Sequence, residues 1–115
     1  MQISAALYNL TEKALMESLD MKAIKVVADM LYPNYDFNEK TGFSHNLSIP
    51  RQIAAKQLIS DVKKTGMFVK LIQILVEMHT TGYMGKVHPI KNLRDILVRL
   101  HDIGLVYDKE KRIFT

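Results

Sequence analysis

"IAAKQLISDVKKTGMFVKLIQIL", residues 53–75, decides how this chain is read. Ile53, Leu58, Ile59 and Val62 recur at the three-and-four spacing that lines one side of an α-helix. Lys63 and Lys64 stand where the negative carboxyl end of that helix favours cations, and Gly66 supplies a left-handed stop. The next stretch, "MFVKLIQILVEM" (67–78), is apolar nearly all round and is broken only by Lys70, Gln73 and Glu77. A helix with oil on most sides is packed by several others. Two consecutive helices follow, the second central, and the expected fold class is mainly α: a compact bundle of five to six helices with a short C-terminal β-hairpin or strand.

Towards the N-terminus, Ser48 can cap the first of these helices, Pro50 suits its opening turn and Ile49 extends its buried face. Before it, "NYDFNEKTGFSHNLS" (34–48) is dense in Asn, Asp, Gly and Ser and reads as a loop with room for one helical turn. Tyr35, Phe37, Phe43 and Leu47 are too apolar for a free linker and predict pins to the core. Pro33 ends the preceding helix, because the residue before a proline avoids the helical region. In "MKAIKVVADMLY" (21–32), Ala23, Ile24, Val27, Met30 and Leu31 form the expected buried stripe, with Lys22, Lys25 and Asp29 opposite. Thr11 is a candidate cap for "TEKALMESL" (11–19), which carries Leu15, Met16 and Leu19 on one side, and Glu12 suits the first turn. Ile3, Ala6, Leu7 and Leu10 predict a separate short helix or ordered arm over 1–10. Whether 11–32 is one helix or two turns on Asp20, and two meeting at an angle is the expectation.

Towards the C-terminus, "GYMG" (82–85) is a turn, and "HPIKNLRDILVRLHDIG" (88–104) predicts a last amphipathic helix stopped by Gly104. Ile90, Leu93, Ile96, Leu97, Leu100 and Ile103 line one face, and Lys91, Arg94, Asp95, Arg99 and Asp102 the other. "LVYDKEKRIFT" (105–115) has β-favouring ends around a charged middle, which suits two short strands with a turn at "DKEK". The expected division is a helical bundle over 1–104, then a hairpin or the start of a truncated following domain over 105–115.

The composition supports one globular domain: 115 residues with 48% hydrophobic side chains can bury a real core. The absence of cysteine excludes disulfides, thiolate zinc sites and thiol nucleophiles, and fits a reducing cytosol. The N-terminus lacks the basic start of a signal peptide, and no window supplies the ~20 apolar residues of a membrane span. The expected location is cytoplasmic. A net charge of +4 permits an anionic partner without demanding one.

Catalytic signatures are absent. There is no glycine-rich phosphate loop, no GxSxG, no HExxH and no EF-hand loop. His45, His79, His88 and His101 are never one helical turn apart, so they form no helical metal pair. Glu12 with Glu17, and Asp36 with Glu39, sit in polar contexts that suit solvated carboxylates. Among the seven methionines, Met67, Met78 and Met84 fit an adaptable groove less well than ordinary core packing. No catalytic, cofactor-binding or metal-binding residue is predicted, and the chain is not expected to be an enzyme. The stripe of Lys70, Gln73 and Glu77 must reach solvent, a polar partner or another protein, and an exposed edge is the simplest account.

Two resemblances bear on function. "NLRDILVRLHDIGLVYDKEKRIFT" (92–115) resembles the recognition helix and β-wing of winged-helix DNA-binding regulators, with 92–103 as the recognition helix and 105–115 as the wing. That likeness implies Arg94 and Arg99 towards bases and Lys109, Lys111 and Arg112 towards phosphate. It departs at "TTGYMGKVHP" (80–89), where the preceding helix should stand, and at Asp95 and Asp102, which repel phosphate. "VVADMLYPN" (26–34) and the opening stretch resemble death-like helical bundles, more narrowly the bacterial effector-associated domains, over about residues 11–80. The long 33–48 loop and the extra C-terminal helix and strand depart from that pattern. This second resemblance implies a non-enzymatic protein–protein interaction or regulatory module. It would form the N-terminal part of a larger bacterial signalling protein, ahead of a nucleotidyl cyclase or another effector domain. The expected partner is a protein, an attached effector domain or a second copy, with nucleic acid as the alternative. Lys63, Lys64, Arg94 and Arg99, on the wet faces of their helices, are the candidate interaction surface.

Overall fold

The computed structural model describes residues 2–43, 49–83 and 85–115. Among them, the chain forms α1 (Ala5–Ser18), α2 (Met21–Leu31), α3 (Phe37–Thr41), α4 (Arg51–Thr65), α5 (Phe68–Thr80) and α6 (Leu93–Asp102). An antiparallel hairpin of β1 (Tyr107–Asp108) and β2 (Ile113–Phe114) follows. The mainly helical bundle with a C-terminal hairpin is therefore the fold.

α1 is one helix rather than an arm followed by a helix capped at Thr11. The Ser4 hydroxyl accepts from the Leu7 N–H at 3.2 Å and starts the helix about two turns earlier. Thr11 is fully buried inside it and donates its hydroxyl to the Leu7 carbonyl at 2.8 Å, the bond a mid-helix threonine can make to the turn before it. Leu19 then turns extended, and the Asp20 carboxylate accepts from the Ala23 N–H at 2.8 Å to open α2. So 11–32 does break at Asp20. α2 buries Ala23, Ile24, Val27, Ala28 and Leu31, while Met30 faces solvent instead of joining the stripe. The face turned to α4 and α5 is centred between Ile24 and Leu31, so Ala28 falls on one edge of it and Met30 lies just beyond the other.

Beyond Pro33, the short α3 is capped by the Asp36 carboxylate, which accepts from the Asn38 and Glu39 amides at 2.9 and 3.3 Å. Tyr35 and Phe37 meet edge to face with centroids 4.6 Å apart, and Phe37 is buried, so this loop is pinned as its aromatic content requires. Phe43 also packs on the core. The expected Leu47 pin and Ser48 cap lie outside the described residues. α4 follows Pro50 and buries Ala54, Ala55, Leu58, Ile59 and Val62. Gly66 ends it at φ +71°, the left-handed geometry a side chain would strain.

α5 is the central helix, burying Phe68, Leu71, Ile72, Ile74, Leu75, Val76 and Met78 against α2, α4 and β2. α1 packs on both α4 and α6. α6 starts at Leu93, five residues later than the periodicity suggests. Asn92 interrupts the helical path just before it, with a left-handed backbone at φ +62°, and the amides of the preceding strap bond to other elements: His88 N–H to the Met78 carbonyl at 2.8 Å, Ile90 N–H to His79 Nδ1 at 2.9 Å, and Lys91 N–H to the Ser18 hydroxyl at 2.8 Å. Pro89 has no amide to offer. The strap 88–91 thus ties the ends of α5 and α1 together and buries Ile90. At its other end α6 stops at Asp102, so Ile103 lies beyond the helix and is exposed rather than buried.

Candidate functional site

The C-terminal half of α5, α6 and the hairpin enclose a groove of about 870 Å³. Its floor is apolar, with buried Val76, Ile90 and Leu93 and half-buried Leu97 and Leu105. Val98 and Val106 stand on its rim, 51% and 47% exposed. From α6 the groove takes Arg94, Leu97, Val98 and His101, one face at i, i+3, i+4 and i+7. Lys109 and Arg112 enter from the hairpin, and Glu77 is the one carboxylate among the lining residues.

The hairpin is placed by both oil and charge. Tyr107 and Phe114 face each other across the strands with centroids 5.2 Å apart, and both pack on the core with Leu105. Val106 and Thr115 exchange amide bonds at 3.1 and 2.9 Å, and the Asp108 carboxylate accepts from the Glu110 and Lys111 amides within the turn. Tyr107 donates its hydroxyl to Glu77 Oε1 at 3.3 Å, and Arg112 Nη1 lies 3.6 Å from Glu77 Oε2. Burial, and then the neighbouring Glu77 carboxylate, raise the Tyr107 phenol above its ordinary range. The polar stripe of α5 is therefore not a simple exposed edge. Lys70 is exposed, Gln73 is half-buried, and Glu77 has two polar partners on the hairpin.

The four predicted surface cations fall into two pairs on different helices. Lys63 and Lys64 close α4 and are exposed, with Lys63 Nζ 5.6 Å from the Tyr8 ring, which stands edge-on to Phe68. Arg94 and Arg99 belong to α6. Arg94 lines the groove, whereas Arg99 Nε lies 3.4 Å from Asp95 on the outer side. The structure thus gathers Arg94 with Lys109 and Arg112, three of the cations that the winged-helix resemblance names, because the hairpin folds back onto α5. One signal was available: Val98 sits among the charged residues of α6, where an amphipathic pattern calls for a polar side chain.

The remaining polar clusters are structural. Tyr35 donates its hydroxyl to Asp61, and Gln57 Nε2 donates to both oxygens of the same carboxylate at 3.2 and 3.3 Å. Burial, followed by Asp61, holds the Tyr35 phenol well above its usual range, so it stays protonated and fastens α3 to α4. His79 accepts from Ile90, which leaves its proton on Nε2. Among the described residues, no three of His, Cys, Asp and Glu gather in a way that could hold a metal ion. His45 lies outside the described residues. Among the described residues, no helix is long and apolar enough to cross a membrane.

Residues 81–92 separate α5 from α6. A helix-turn-helix joins its two helices by a turn of about three to four residues, so α5 does not stand where the helix before a recognition helix belongs. The chain matches no family model, no curated protein and no solved structure.

Proposed function

We propose that the chain is a non-enzymatic protein-interaction and regulatory module whose docking surface is the groove between α5, α6 and the hairpin. The observation that carries this reading is the groove's makeup: an apolar floor with two exposed valines on the rim and a few charged groups around them. An apolar concavity with sparse polar groups is the ordinary form of a binding site, and exposed apolar patches mark contact surfaces. The resemblance to bacterial effector-associated domains points the same way. On that reading the module serves a larger signalling protein, passing a docking event to an effector domain such as a nucleotidyl cyclase. An occupant touching Val106 and Arg112 touches the hairpin directly, which gives the fold a path from groove to residues 105–115.

The test is a docking map. A library of displayed peptides is panned against the full chain, and enriched peptides are re-tested on Val98→Asp with Val106→Asp. Both positions are exposed, so the doubly substituted chain is expected to melt like the unchanged one. Loss of peptide binding by that variant supports the groove. Binding that survives it, or no enrichment at all, overturns the proposal.

A further inference from the structure

We infer that the occupant of the groove is a short amphipathic helix carrying acidic residues beside its apolar stripe, an inference that rests on the docking role proposed above. Charge sets the first half of it. Arg94 and Lys109 line the groove and have no ion-pair partner among the described residues. The one carboxylate that lines the groove, Glu77, is engaged with Arg112 and Tyr107, while Asp95 on α6 pairs with Arg99 and Asp108 accepts from the turn amides. Two unpaired cations therefore flank an apolar floor, and complementary charge both steers a partner in and fixes its register.

Shape sets the second half. The groove-facing positions of α6 run from Arg94 to His101, seven positions later, which is about 10 Å along a helix. That is two helical turns, the length over which an incoming helix presents anchors at i, i+3 or i+4, and i+7. An extended peptide would need a strand edge to pair with, and the hairpin strands are two residues each. Side chains of one helix interlock with another through these same spacings. Leu97 and Val98 supply the ridge, and Val106 closes the far side.

The experiment uses a display library of helix-favouring peptides of about 14 residues, two contacting turns with a turn at each end. Flanking positions are randomised over acidic, neutral and basic residues. Sequences enriched on the full chain are expected to pair apolar anchors at helical spacing with Asp or Glu beside them. One such peptide, synthesised and labelled, is expected to lose about tenfold or more in affinity on R94E with K109E, to weaken as salt rises, and to recover on that variant when its acidic residues are exchanged for lysine. Enrichment without acidic bias, or affinity unchanged by R94E with K109E, overturns the acidic helix. In that case binding that is still lost in V98D with V106D leaves the docking groove standing. Peptides indifferent to both variants overturn both readings. Random duplex DNA that displaces the peptide, and fails to bind R94E with K109E, overturns the peptide occupant in favour of nucleic acid.

Discussion

Glu77 on α5 and Arg112 on the hairpin meet with Oε2 3.6 Å from Nη1, while Tyr107 donates to the other carboxylate oxygen at 3.3 Å. One carboxylate thus holds both strands against the central helix. The Glu77 side chain is 32% exposed and Arg112 more so, so this tie is screened by solvent. Glu77→Gln keeps the shape and removes the charge. We expect it to lower global stability by less than about 1 kcal/mol yet to loosen the hairpin. The readout is amide exchange at Val106 and Thr115, whose mutual bonds close the strands. Exchange there should accelerate severalfold while α4 amides stay unchanged, and equal protection in both proteins would count against the tie.

The strap 88–91 depends on His79 more than on Ser18. His79 Nδ1 is the acceptor for the amide of Ile90, a buried residue. His79→Phe fills similar space but leaves that donor without a partner. A loss of about 1–3 kcal/mol is expected from denaturant unfolding. Ser18→Ala removes the acceptor for Lys91, whose exposed amide can turn to water, so its cost should be distinctly smaller. Equal costs for the two substitutions would refute this ordering.

Thr11 tests what a buried hydroxyl contributes within a helix. Its bond goes to the Leu7 carbonyl, which already accepts a helical amide bond. Thr11→Val therefore strands no polar group, and its stability should lie within about 1 kcal/mol of the unchanged chain. Thr11→Ala removes side-chain volume from a site with no exposure and should be the more destabilising of the two. Thermal melts rank them, and a larger loss for valine would mean the hydroxyl matters more than its packing.

Tyr35 should leave a signature at alkaline pH. Its folded phenol is held above the ordinary value by burial and by Asp61, whereas the unfolded phenol ionises near pH 10. As pH rises through that value the unfolded chain releases a proton that the folded chain keeps. The unfolded state then binds fewer protons, and stability falls with rising pH. Tyr35→Phe removes this contribution, so its stability between about pH 9 and 11 should decline less steeply. Parallel decline in the two proteins would place the linkage elsewhere.

Much of the fold was legible because helical periodicity and stop residues act locally. Asp20 opening α2, Gly66 closing α4 and the oily circumference of α5 all follow from a few neighbouring residues. The errors arise where another group, near or distant in sequence, competes for the same role. Ile90 has the right spacing for α6, yet Asn92 turns left-handed between it and Leu93, and the strap before Asn92 is held by His79 and Ser18 instead. Thr11 has the chemistry of a cap, yet Ser4 stands earlier with the same chemistry and the helix runs through. The groove was the least legible feature. Arg94, Lys109 and Arg112 are all named by the winged-helix resemblance, but they share a groove because Glu77 and the core draw the hairpin back over α5.

The packing of α1 on α4 and α6 has a consequence for the chain as it is made. α1 leaves the ribosome before α4 and α6 and carries Leu7, Ala14 and Leu15 for partners not yet translated. At roughly 5–20 residues per second, the stretch from Ser18 to Asp102 takes on the order of ten seconds. Until α4 emerges the whole face of α1 is open to chaperones and to misassociation with neighbouring nascent chains, and the part that meets α6 stays open to the end of that interval. Ribosome-stalled chains should be protease-sensitive in α1 until α6 has cleared the exit tunnel, and resistant afterwards.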